Sequence, residues 1–483
     1  MTKRRLLTVT IGLALALGSG LAGCASGVDT LPPTVAVPTG WANGGTDGAM
    51  QADLLPVAAT EPSVPAEWWE EFGSRELARL IAEARRNNPD LSASARRIAQ
   101  GTARARAAGA GLYPTLEGSG GGSRRWPGEG TARNSFQGGL DASYEIDLWG
   151  LNRANLDAAE TLSLANAFDQ AALSLSLDAE VATTYFQYLN LHDRLENARR
   201  ILDIAERILA LVETQVRLGA ASGLELAQQR GTVATLRANI PTLEQRRAET
   251  LNALAQLLGT TPGEVRIETA SLDGITLPTV APGLPSELLA RRPDIARAEA
   301  ALSAARADLR AARAAMMPSI RLTGGGGYAS DQLSTLFSPA GFLANLASGL
   351  AAPIFDGGRL SAQRDAAEAA VDEAVDAYRS AVIAAFRDVE DALAAAKYLA
   401  EIETAQRAAL AEAERAYELA EIRYRAGSVD FLSLLEAQRS LFQQEDALEQ
   451  TRLARLSAAV ALYKALGGGW CEDGEGMACG AET

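Results

Sequence analysis

Apolar and polar positions along the chain follow two different periods, arranged in alternating blocks. Across residues 135–148 the period is two. Phe136, Gly138, Leu140, Ala142, Tyr144, Ile146 and Leu148 hold the even places; Ser135, Gln137, Gly139, Asp141, Ser143, Glu145 and Asp147 hold the odd ones. Successive side chains of a strand point to opposite faces, so this pattern predicts a strand that is apolar on one side and polar on the other. Ile320, Leu322 and Tyr328 alternate with Ser319, Arg321 and Thr323 in the same way, and Phe342, Ala344, Leu346, Leu350 and Ile354 mark a further strand. With the Gly-rich stretch that precedes the first of these, four strands are expected at about 112–126, 134–148, 318–330 and 341–355.

After Gly150 and Gly358 the period becomes helical. Leu195, Leu202, Leu209 and Val216 recur every seven residues, with Ala198, Ala205, Val212 and Gly219 three places on. A heptad seam rich in small residues lets neighbouring helices approach closely. No proline interrupts residues 151–216, which at 1.5 Å per residue make a helix, or a broken helix, of roughly 100 Å. Gly219 stands where a C-terminal glycine would, and Ser222-Gly-Leu-Glu225 fits a capping box opening the next helix. Gly427 and Asp430 occupy the same two places later in the chain. The Ala-, Arg- and Leu-rich segments 76–109 and 287–316 also read as helix.

Self-comparison explains the recurrence. Asp157-Ala-Ala-Glu160 returns as Asp365-Ala-Ala-Glu368, Gly219 as Gly427, Leu226 as Leu434 and Leu258-Gly259 as Leu466-Gly467, all at an offset of 208. Pro89-Asp90 matches Pro293-Asp294, and Pro114 matches Pro318, at 204. This reads as an internal two-fold duplication. Each half is expected to run helix, hairpin, long helix, tight turn, long return helix. The organisation read from the sequence is a leader at 1–23, a tether at 24–65, a first repeat at 66–259, a Pro-rich connector at 260–286, a second repeat at 287–467 and an acidic tail at 468–483.

Charge and composition narrow the chemistry. A formal charge of −15 argues against a nucleic-acid binder, which carries a basic face. The single histidine, His192, removes histidine-based triads and His-rich zinc sites. Three cysteines leave no room for a four-cysteine metal site. The glycines at 118–122 and 324–327 lack the Gly-Lys-Ser/Thr of a phosphate loop and read as strand. No nucleophile–base pair or metal-ligand spacing emerges, so no enzyme, metal or cofactor is expected. Cys471 and Cys479 in the tail could pair in an oxidising compartment.

The N-terminus gives an address. Lys3, Arg4 and Arg5 precede an apolar run of twelve residues, 6–17, which is too short for a spanning helix of about 20 residues and typical of an export leader. Leu21-Ala22-Gly23-Cys24 resembles a bacterial lipobox, implying cleavage before Cys24 and acylation of its thiol. Ala25 stands where Asp tends to retain such lipoproteins at the inner membrane. The outer membrane is therefore the expected location.

Four two-faced strands of about ten residues suit a transmembrane β-barrel. Four cannot close one, and open edges are not tolerated in lipid; the smallest known barrels have about eight strands. Several chains must then share a barrel, with Asp141, Glu145, Asp147 and Arg321 facing a wet lumen. The competing reading is a lipid-anchored coiled-coil spacer with no lumen, which has no use for the alternation at 135–148.

Beyond the lipobox, Pro65-Ala-Glu-Trp-Trp-Glu-Glu-Phe72, Gly283-Leu-Pro-Ser-Glu-Leu-Leu-Ala-Arg-Arg-Pro-Asp-Ile295, Tyr424-Arg-Ala-Gly-Ser-Val-Asp430 and Leu434-Leu-Glu-Ala-Gln-Arg439 carry a resemblance. The chain resembles the TolC-type outer membrane efflux family, in the lipoprotein branch that serves resistance-nodulation-division (RND) pumps. The resemblance implies a mixed α/β membrane protein. Three chains would pool four strands each into one transmembrane barrel, continued by a long periplasmic α-helical barrel. It implies a homotrimer, a periplasmic adaptor protein, an inner membrane pump and outer membrane lipid as partners, and small molecules such as drugs as cargo. Exit ducts for heavy metals or secreted proteins are the alternatives. The two helical turns, 217–225 and 425–432, would meet the adaptor through Gly219, Ser222, Gly427, Ser428 and Val429. A gate would be built from Tyr424, Asp430, Leu432, Glu436 and Arg439. Glu436 would join a ring of acids, Leu432 an apolar ring, and Tyr424 and Arg439 would tie neighbouring helices. Asp430 is most simply an N-cap. In the first half Gln228, Gly231 and Val216 stand opposite Glu436, Arg439 and Tyr424, which suits a gate built mainly by the second turn.

Overall fold

The computed structural model describes residues 37–43 and 64–470, apart from 127, 129, 130, 270, 282 and 284. The leader, Cys24, Cys471 and Cys479 lie outside the described residues. In chain order the elements are α1 (Arg75–Asn87), α2 (Pro89–Gly109), β1 (Thr115–Arg125), β2 (Arg133–Ile146), α3 (Leu151–Arg217), α4 (Gly223–Leu257), α5 (Pro293–Ala314), β3 (Ser319–Ser330), β4 (Phe342–Ala351), α6 (Arg359–Arg425) and α7 (Phe431–Ala465). The long helices α3 and α6 each have 67 residues and the return helices α4 and α7 each have 35. The chain divides into two compact units.

One unit includes Gly101–Ser163 and Glu299–Asp376 and holds the sheet. Its four antiparallel strands lie in the order β1-β2-β3-β4. Register carries the alternation of β2 across the sheet. On one face Leu116 pairs with Ala142, Tyr144 with Leu322, Ile146 with Ile320, Ile320 with Leu350, and Tyr328 with Phe342. On the other, Thr115 pairs with Ser143, Ser143 with Thr323, and Glu145 with Arg321. Leu140, Leu346 and Leu350 are exposed in the single chain, at 56%, 87% and 71%, so the apolar face has no cover of its own. Gly327 is needed for close approach, because a Cβ there would lie 2.7 Å from the Gly138 carbonyl.

Two expectations shift. The fourth strand stops at Ala351 rather than near 355, because Pro353 cannot donate to a ladder; Ile354 lies outside it. Asp147 does not face a lumen. Its carboxylate accepts from the backbone N–H groups of Asn152 and Arg153, each at 3.0 Å, and caps α3. Asp356 does the same for α6, accepting from Gly358 and Leu360.

The other unit includes Val35–Gln100, Leu164–Ala298 and Ala377–Thr483. The helices expected at 76–109 and 287–316 are each interrupted, at Asn88 and Arg292, because the following prolines Pro89 and Pro293 bar the preceding residue from helical geometry. The core is built around Trp68, Phe72, Leu80, Ile81, Tyr185, Phe186, Leu254, Val382 and Tyr463. Trp68 stacks on Tyr463 at 5.3 Å, so the Trp-Trp-Glu-Glu-Phe segment works as a packing plug. Arg85 reaches Asp178 with both forks, at 2.9 and 2.6 Å, and lies 4.5 Å over the Trp69 ring.

The tether region is not featureless where it is described. Trp41 packs on Phe386 and donates to the Gly283 carbonyl, and the Glu390 carboxylate accepts from the backbone of Ala42 and Asn43. The α3 seam keeps Leu195, Ala198, Ala205 and Val212 buried but completes itself with Ile201 and Ile208. Leu202 and Leu209 are half-buried.

Candidate functional site: the helical turns and the open sheet

Both turns are built by the same local chemistry. Gly219 (φ 77°) and Gly427 (φ 73°) adopt the left-handed conformation that ends a helix. The N–H of Gly219 bonds to the Val216 carbonyl and that of Ala220 to Gln215; Gly427 and Ser428 bond likewise to Tyr424 and Arg423. This paired pattern is the Schellman motif. Ser428 adds a bond from Oγ to the Arg423 carbonyl at 3.1 Å.

The return helices start with caps of different charge. Ser222 Oγ accepts from the Glu225 N–H at 3.3 Å. Asp430 accepts from the N–H and hydroxyl of Ser433, at 2.9 and 2.6 Å. Those bonds hold the Asp430 carboxyl below its ordinary pKa.

Beneath the turns Ile208, Val212, Tyr424, Phe431, Leu434 and Leu435 form a small core, with Val429 half-buried against it. Tyr424 is inside this core, and its hydroxyl donates to Gln215 Oε1 at 2.7 Å, tying α6 to α3. Burial and the nearby Glu225 carboxylate push its pKa up to about 12. Leu432, Glu436 and Arg439 follow one another at i, i+4 and i+7, and so share one face of α7. All three are exposed. Glu436 and Arg439 face each other at 3.5 Å, so within one chain Arg439 pairs along its own helix. Leu218 and Leu224, also exposed, add apolar surface to the first turn.

Sequence reasoning missed the buried glutamines. Gln229 and Gln438 are fully buried, and Gln229 Nε2 donates to the Ala205 carbonyl at 2.8 Å. The signal was available: Leu226, Gln229 and Val233 follow core spacing, as do Leu434, Gln438 and Leu441.

A largely apolar, exposed sheet face, edges at β1 and β4 with no partner among the described residues, and long antiparallel helices closed by capped turns are the features of a channel-forming membrane subunit. The chain belongs to the outer membrane efflux protein family, whose sequence model matches residues 80–260 and 284–468. It is 39% identical over 470 residues to the pyoverdine export outer membrane protein OpmQ of Pseudomonas aeruginosa, covering 95% of this chain and 96% of that one. It is 34% identical to the cation efflux system protein CusC of Escherichia coli O6:H1, covering 97% and 100%. The crystal structure of the Campylobacter jejuni CmeC outer membrane channel superposes with a TM-score of 0.83 at 26% identity, covering 92% and 96%.

Proposed function

We propose that this chain is the exit duct of a tripartite efflux system. A homotrimer, anchored through acylated Cys24, carries small molecules from an inner membrane RND-type pump and a periplasmic adaptor to the outside. One observation supports this reading above the rest: one face of the four-stranded sheet is mostly apolar up to the Arg124–Asn134 rung, and among the described residues its two edges are unpaired. In lipid each edge must meet another strand, and copies of the same chain supply them. Water then fills the side bearing Glu117, Asp141 and Glu145.

The turns at Gly219, Ser222, Gly427, Ser428 and Val429 meet the adaptor in this reading. Leu432, Glu436 and Arg439 present one exposed face of α7 toward the axis. Carboxylates converging there from several chains repel one another and favour cations. Asp430 shapes the turn as a cap, and Tyr424 fixes the pitch of α6 against α3.

A wide aqueous duct has little selectivity of its own, so the pump chooses the cargo. The resemblance favours drugs and other toxic small molecules; similarity to a cation efflux protein supports metal export as the second reading. Single-channel recording tests the gate. Glu436→Ala raises conductance and lowers cation preference if Glu436 lies at the constriction. Unchanged conductance and unchanged preference would remove Glu436 from the gate.

A further inference from the structure

At the end of the sheet remote from its helical connections, the polar face finishes in two arginines. Arg125 and Arg133 are Cα partners on the last rung of the β1–β2 ladder. Both belong to the odd-numbered face that carries Glu117, Asp141 and Glu145. Directly opposed like charges destabilise a sheet pair, and among the described residues neither side chain has an ion pair or hydrogen bond to relieve the repulsion.

Lower on the same face the charges differ. Arg321 meets Glu145 at 3.6 Å, and Glu117 is register partner to Asp141, which accepts from Ser119. Arg124 belongs to the opposite face, with its guanidinium 5.4 Å over the Trp126 ring, and takes no part in the rung. The acids nearest in sequence to the strand ends here are Glu129, which lies outside the described residues, and Asp331, just past β3. Residues 123–134 carry three arginines against that one glutamate, in a chain of net charge −15.

Two arginines opposed on one rung have Cβ atoms about 5 Å apart, and each guanidinium carries a fork of N–H donors. Such forks match the oxygens of phosphate, sulfate and carboxylate groups. An anion lying between them removes the repulsion and satisfies donors that no protein group among the described residues takes.

We propose that the Arg125–Arg133 rung is an anion-binding site at the outer mouth of the channel, engaging phosphate, sulfate or carboxylate groups on molecules leaving the lumen. It rests on the channel reading above, since only then does the polar face line water. Together with the acids further in, it makes the lumen polar in charge from end to end.

The test is planar-bilayer recording with inorganic pyrophosphate added to one chamber at a time. The wild-type channel is blocked from the hairpin side at a concentration about tenfold lower than from the other. The double variant Arg125→Gln, Arg133→Gln, with its sheet signal intact by circular dichroism, loses that asymmetry. Equal block of the variant and the wild type overturns the proposal, as does a wild type that pyrophosphate affects equally from both sides. Absence of any wild-type channel current overturns the channel reading itself, which is a different result.

Discussion

Asn88 and Arg292 occupy the two helix breaks that precede Pro89 and Pro293, and each donates to a carbonyl at the end of a return helix. Asn88 Nδ2 reaches the Leu257 carbonyl at 2.9 Å, and Arg292 Nη1 reaches the Ala465 carbonyl at 3.1 Å. Donors and acceptors sit at the same offsets of 204 and 208 that relate the two halves of the sequence. The second lock is charged. Arg292 also binds Asp294 through both forks and Asp388 at 3.3 Å. Arg292→Ala leaves Asp294 without its cation, Asp388 with Arg387 alone, and an orphaned carbonyl, at a cost on the order of 3 kcal/mol; Asn88→Ala costs about 1–2 kcal/mol. Thermal midpoints in detergent, followed by circular dichroism, check the order. Equal effects would show that the charged lock adds nothing.

Acid lability follows from two latching carboxylates. Burial alone would raise the pKa of Asp294, but the bonds and charge of Arg292 more than reverse it, so its pKa is lowered in the fold. Glu76 is similar: burial opposes, and the N–H groups of Glu268 and Thr269, at 2.8 and 3.0 Å, with Tyr185, lower it. A depressed carboxylate stabilises the fold above its unfolded pKa of about 4 and loses that contribution as pH falls through the folded value. The thermal midpoint is therefore insensitive to these groups from neutral pH down to about pH 5 and falls below about pH 4. Asp294→Asn starts lower and falls less steeply. A variant with the wild-type slope would contradict this.

The four helix-ending glycines differ in what surrounds them. At Gly427 no atom lies near the place of a Cβ, so Gly427→Ala costs only the left-handed strain, about 1 kcal/mol. At Gly467 (φ 92°) a Cβ would overlap the Arg291 carbonyl, and at Gly259 that of Asn87. Gly467→Ala must push the break at Arg292 away from α7 and lowers the thermal midpoint far more than Gly427→Ala. Comparable shifts would refute the distinction.

Acylation is checked chemically. Cells grown with labelled palmitate incorporate it into the wild-type chain and not into Cys24→Ser. Retained label in the variant would place the lipid elsewhere.

Much of this architecture was legible from periodicity. The alternation at 135–148 gave β2 and its two faces, and the absence of proline before Val216 allowed a helix or a broken helix, which the structure shows to be the single helix α3. Gly219, Ser222, Gly427 and Asp430 were read correctly as terminators and caps because their chemistry is local. What escaped depends on partners distant in sequence. The seam of α3 takes Ile201 and Ile208 rather than Leu202 and Leu209, since a 3.6-residue helix drifts against a strict heptad. Asp147 looked like one more polar strand residue until the orphan N–H groups of α3 claimed it. Trp41 and its partner Phe386 lie far apart in the chain, so no window of sequence joins them. The gate residues Leu432, Glu436 and Arg439 were assigned by resemblance. Their common face follows from spacing, but their place on an axis depends on other copies of the chain.

The most direct test of that dependence is the mass of the detergent-purified protein by light scattering, corrected for bound detergent. Three chains per particle, with a sheet signal in circular dichroism, is the expected result. A particle of one chain that retains its helices would contradict the shared barrel and every role assigned to its lumen.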